Sequence, residues 1–128
     1  MSTRAIISDI FLVTAVDSEG KRFKSVSRIE AKSDSFDFRL RLDYNCDIYN
    51  LPLGQSFSLA ISPITDETLI PSYDYVMSGT VFKEEFEKPD KLVLYASFGG
   101  LLMELVGLAP HLEKIVQDDE IYLLIKKI

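Results

Sequence analysis

The residues of this chain that could do covalent chemistry are few, and their spacing assembles none of the usual constellations. His111 and Cys46 are its only imidazole and its only thiol. Nucleophilic catalysis needs a base beside the nucleophile, and His111, in Ala109-Pro110-His111-Leu112, has no serine or cysteine motif next to it. A single cysteine makes no disulfide framework and no thiolate cluster for zinc, so Cys46 reads as a structural thiol in a reducing compartment. Ser97-Phe98-Gly99-Gly100 lacks both the G-x-S-x-G elbow and the lysine of a phosphate loop. Glu84, Glu85 and Glu87, and Asp118, Asp119 and Glu120, lack the spacing of a calcium loop and read as solvated ends. No catalytic residue, metal site, cofactor or small-molecule substrate is therefore expected.

Binding chemistry has more to work with. Lys21, Arg22, Lys24, Arg28, Lys32, Arg39 and Arg41 hold half of the 14 basic residues within one short span. Such a run is ordinarily a solvated face of mixed charge, and otherwise a patch for a polyanion. The formal net charge of -6 and a pI near 4.7 repel phosphate backbones at long range and argue against a dedicated nucleic-acid binder. No apolar run reaches the roughly 18 residues of a membrane span, and MSTRAIISDIF is too short and polar for a secretory signal. No membrane partner is expected.

The elements that would position these groups are organised around Leu92–Val106. Leu92, Leu94, Ala96 and Phe98 alternate with Val93, Tyr95 and Ser97, the period of a strand. Gly99-Gly100 reads as a hairpin turn, because neither residue has a Cβ to forbid positive φ. Leu101, Leu102, Met103, Leu105 and Val106 then carry apolar side chains onto both faces, where an ordinary hairpin would leave one face polar. Something must cover the second face, either this chain or another.

Around that pair the chain reads as strands. Ile6–Val16 and Phe23–Ala31 form a hairpin across Asp17-Ser18-Glu19-Gly20. Phe36–Tyr44 places Phe36, Phe38, Leu40, Leu42 and Tyr44 on one face and Asp37, Arg39, Arg41 and Asp43 on the other, with Cys46 and Ile48 continuing the inward series. Phe57–Ser62 follows, then a long loop from Pro63 to Asp74. Tyr75–Phe82 is a strand with a bulge expected at Gly79, and Lys83–Asp90 is an exposed hairpin tip. Gly107–Asp119 allows one or two helical turns, and Glu120–Lys126 is a final strand, apolar on both sides. About eight strands in 128 residues predict one all-β domain, a sandwich or barrel.

With the residues in this order, the chain resembles a known family: the common eighth subunit shared by eukaryotic nuclear RNA polymerases I, II and III. The resemblance is carried by Asp9-Ile10-Phe11, Val26-Ser27-Arg28-Ile29, Leu42-Asp43-Tyr44-Asn45 with Ile48-Tyr49, Tyr73-Asp74-Tyr75-Val76-Met77 with Gly79, Ser97-Phe98-Gly99-Gly100-Leu101-Leu102-Met103, and Tyr122-Leu123-Leu124-Ile125-Lys126-Lys127. It implies an antiparallel eight-stranded Greek-key barrel of the oligonucleotide/oligosaccharide-binding type with one short helical turn. It further implies a nuclear, non-catalytic subunit that docks on the largest polymerase subunit and supports assembly and transcription. On that implication the large subunit covers the second apolar face, with Tyr95, Phe98, Gly99, Gly100, Leu101, Leu102, Met103 and Tyr122 as candidate contacts. Two departures stand out: the 63–74 loop is short for the family, and Ser78 replaces a tyrosine after the methionine of Tyr75-Val76-Met77. The other reading is a free-standing barrel that binds single-stranded nucleic acid through Arg28, Arg39 and Arg41 beside stacking aromatics. For the polymerase subunit, contact with nucleic acid is expected to be indirect or weak.

Overall fold

The computed structural model describes residues 6–21 and 23–128. The first five residues, part of the stretch read for a signal, lie outside these, as does Arg22 of the basic run. Eight strands make a closed antiparallel barrel: β1 (Ile7–Val16), β2 (Val26–Ser33), β3 (Arg39–Asn45), β4 (Ser56–Pro63), β5 (Tyr75–Lys88), β6 (Lys91–Phe98), β7 (Leu101–Leu108) and β8 (Glu120–Lys127). Around the barrel they run β1-β2-β3-β7-β6-β5-β8-β4. The only helical pieces among the described residues are a 3-10 turn at Ile70–Ser72 and the four residues of α1 (Ala109–Leu112).

The period-two patterns explain the wall. On β1, Ile7, Asp9, Phe11 and Val13 are buried while Ser8, Ile10, Leu12 and Thr14 are exposed. On β6, Leu92, Leu94, Ala96 and Phe98 face the core as the alternation predicts. Phe11, Phe38 and Phe57 stack through the middle, with Phe11 5.7 Å from Phe57 and 6.3 Å from Phe38. Gly99 and Gly100 both adopt positive φ, +66° and +101°, so the turn uses the freedom that only glycine offers cheaply.

Several local expectations need correction. Phe36 lies before β3 and is exposed, because Asp37 at φ +56° turns the chain and only Phe38 enters the core. Ile48 is exposed too, since β3 ends at Asn45 and the inward alternation ends with it. Asp43 was expected on the solvated face but is buried. The acidic stretch is no tip: β5 continues through Lys83–Lys88, and Pro89-Asp90 alone make the turn. The register shifts of β5 fall at Val81/Lys83 and Phe86/Lys88, not at Gly79. Gly79 serves close approach instead, because a Cβ there would meet the Ser97 carbonyl and Phe98. Gly107 belongs to β7, and the helix stops at Leu112.

Candidate protein-docking face

Of the singled-out residues, the outer wall of β2, β3, β7, β6 and the second half of β5 gathers Arg28, Arg39, Arg41, Tyr95 and Leu102. Cross-strand register sets Glu30, Arg41, Glu104, Tyr95 and Lys83 in one row over those five strands. Beside this row lie Leu102, 43% exposed, and Phe82, 47% exposed. The bulge at Val81/Lys83 turns Phe82 outward, and its ring sits 6.2 Å from that of Tyr95. Lys83 Nζ lies 5.4 Å over the Tyr95 ring, and Tyr95 Oη donates to Glu85 at 3.1 Å. Burial, then that hydrogen bond, push the Tyr95 phenol above its ordinary pKa. The result is an apolar centre of Phe82, Tyr95 and Leu102 with Arg28, Arg41 and Glu104 around a shallow depression. Aromatic anchors inside a charged rim are the make-up of a protein interface.

One buried carboxylate holds this face in place. Asp43 accepts from Arg28 Nε at 2.6 Å and Nη2 at 3.1 Å, and its second oxygen also accepts the Leu102 N–H at 3.1 Å. That ion pair raises the Arg28 pKa, the hydrogen bond being the largest cause. Asp9 does the same for the β2–β3 connection, accepting the Phe36 N–H at 3.0 Å. Asn45 N–H donates to Tyr75 Oη, and Leu51 N–H to Tyr44 Oη. These hydrogen bonds hold the segments that carry the exposed side chains.

Residues 8–67 and 62–127 match the sequence profile of a family described as RNA polymerase Rpb8. The chain belongs to that family. A Schizosaccharomyces pombe protein named DNA-directed RNA polymerases I, II, and III subunit RPABC3 is 39% identical, with 99% of this chain and 100% of that protein covered. Subunit 8B of DNA-directed RNA polymerases II, IV and V from Arabidopsis thaliana is 35% identical over 96% of each. The Saccharomyces cerevisiae RPABC3 subunit is 33% identical over 98% of this chain and 99% of its own length. The two profile segments of this Rpb8-family chain overlap at residues 62–67, across the end of β4 and the start of the loop read as short.

The singled-out positions divide by orientation. Tyr95 and Leu102 present side chains outward, Gly99 and Gly100 are exposed at the turn, and Leu101 is half-buried against the core. Phe98 and Met103 face the barrel interior at 5% and 1% exposure, so they support the face from beneath and offer a partner no side chain. Tyr122 sits on β8, with β5 and β6 between it and β7; its hydroxyl donates to Glu67 at 3.1 Å, and exposed Ser78 lies opposite it. Of the arginines, Arg28 is taken by Asp43 and Arg39 by Glu87, at 2.9 and 3.1 Å. Among the described residues, Arg41 makes no ion pair. Cys46 lies 3.0 Å from Lys21 Nζ, which lowers the thiol pKa and ties the β1–β2 loop to the end of β3. Phe82 and Asp43 were the misses, and neither carries a local signal. Phe82 faces out through a bulge, and Asp43 is buried by an arginine 15 positions away in sequence.

Proposed function

We propose that this Rpb8-family chain acts as a non-catalytic structural subunit of nuclear RNA polymerases I, II and III. It docks on the largest subunit through the Phe82–Tyr95–Leu102 face and supports assembly and transcription. Family membership over nearly the whole chain carries the reading. The face adds a physical reason: Phe82 on β5 and Leu102 on β7 stand exposed beside half-buried Tyr95 on β6, within a rim of Arg28, Arg41 and Glu104. The nucleic-acid reading loses ground because carboxylates neutralise two of its three guanidiniums, leaving Arg41 alone against a chain of net charge -6.

The test is a C-terminally tagged chain in its own cells, purified at moderate salt, with co-purifying proteins measured by mass spectrometry. Stoichiometric recovery of the largest polymerase subunits is expected. The pair Tyr95→Asp and Leu102→Asp should abolish that recovery while the barrel keeps its circular dichroism. Undiminished incorporation of the double variant would refute the assignment of the face, and a native chain recovered without polymerase would refute the function.

A further inference from the structure

The barrel closes by having β5 change neighbours half-way along. Tyr75–Thr80 pair with β8, whereas Thr80–Lys88 pair with β6. Beyond Val81, which exchanges hydrogen bonds with Asp118 and Asp119, no strand among the described residues flanks the other edge of β5. Residues 82–88 therefore form an open strand edge, the feature that natural barrels otherwise remove.

Register identifies which main-chain groups are free. Gly99-Gly100 is a two-residue turn, so Phe98 and Leu101 form a hydrogen-bonded pair, and antiparallel alternation then turns Ala96, Leu94 and Leu92 toward β7. The Leu102 N–H, which points away from β6 to Asp43, follows the same alternation. Across the ladder, Glu84 opposes Leu94 and Phe86 opposes Leu92. The N–H and C=O groups of Glu84 and Phe86 consequently point away from β6, into the open edge. Charge selects among occupants. Glu87 is paired with Arg39 and Glu85 with Lys83, at 2.9 and 3.4 Å, which among the described residues leaves Glu84 without an ion pair on the open edge. A second copy would bring a like charge to it, whereas a basic side chain would be attracted. Phe86, 64% exposed, adds an apolar contact in the middle.

We propose that the Glu84–Phe86 edge of β5 accepts an extended segment of the polymerase core as an added strand, with a basic side chain beside Glu84 and an apolar one on Phe86. Main-chain hydrogen bonds supply the affinity of such additions and side-chain pockets the specificity. This rests on the reading of the chain as a docked polymerase subunit and assigns that docking a second element next to the apolar face.

Proline is tolerated on a strand edge where its missing N–H faces outward. Glu84→Pro should therefore leave the ladder to β6 and the circular dichroism intact, yet lower recovery of tagged polymerase several-fold, up to about tenfold, the scale of one lost hydrogen bond. Glu84→Lys should also weaken recovery, by charge alone. Native-level incorporation of folded Glu84→Pro overturns the inference, and if Tyr95→Asp/Leu102→Asp still fails to assemble, it overturns this inference without touching the proposed function. Should Glu84→Pro misfold, hydrogen exchange of the native chain decides. Slower exchange at Glu84 and Phe86 in the assembled polymerase than in the free chain supports the added strand, and equal rates overturn it. The same protection appearing in concentrated free chain, with dimers in sedimentation, overturns the assigned occupant. A native chain that brings down no polymerase overturns both readings.

Discussion

Replacing Asp43 with alanine should cost the barrel roughly 2–4 kcal/mol, a large loss for a substitution on an outer wall. The carboxylate accepts two guanidinium N–H groups and one main-chain N–H, and its side chain is only 10% exposed against 39% for Arg28. Arg28 keeps water within reach, so the ion pair contributes at the low end, about 0.5–1 kcal/mol. The Leu102 N–H loses a charged acceptor at a part-buried site, which costs about 1.5–3 kcal/mol. Asp43→Asn keeps an acceptor for Leu102 and loses the charge, so it should cost about 1 kcal/mol, less than alanine. Urea unfolding followed by circular dichroism reads both, and an unchanged m-value would place the effect in the folded state. A cycle with Arg28→Ala should return a coupling of about 0.5–1 kcal/mol. Asp43→Ala within about 0.5 kcal/mol of the native chain, the range of ordinary surface changes, would refute the view that this carboxylate pins the start of β7.

Gly107→Ala should destabilise by about 1–3 kcal/mol in the same assay, because the new Cβ would fall 2.3 Å from Phe38 Cδ1 in a packed core. Pairing it with Phe38→Leu should recover part of the loss, and full additivity would refute the clash. Tyr49 gives a pH test: burial, then Asp74, push its phenol up to about 12, from an ordinary 10.0. A group whose pKa is raised on folding adds stability that is complete below the unfolded pKa and is lost as pH rises through the folded one. Stability should therefore fall as pH climbs from about 10 toward 12, and less steeply in Tyr49→Phe. Identical slopes from urea midpoints between pH 9 and 11 would refute the shift.

How far the residues speak for themselves varies along the chain. Where one face of a strand is apolar and the other charged, alternation is legible, as in Phe38–Tyr44, because a one-residue slip would bury Arg39 and Arg41. The Gly99-Gly100 turn is legible for the same local reason: backbone freedom is a property of the residue itself. The blocks from Asp9 to Lys127 that carry the family resemblance are likewise readable, although their physical work is not. Asp9, Asp43, Tyr44 and Tyr75 turn out to satisfy main-chain N–H groups of other segments, and no pattern within their own strands announces it.

What the amino-acid sequence determined alone was therefore strand faces, the glycine turn and membership of a family. Tertiary structure decided which apolar residues are core and which are surface. Met103 and Leu102 are neighbours of equal hydrophobic character, yet one fills the barrel and the other faces out, because alternation fixes opposite sides and only closure decides which side is inside. Closure likewise turned an acidic run into a strand with one open edge and Asp43 into a buried anchor. Both depend on which strands meet, and pairing between distant segments is a property of the whole chain.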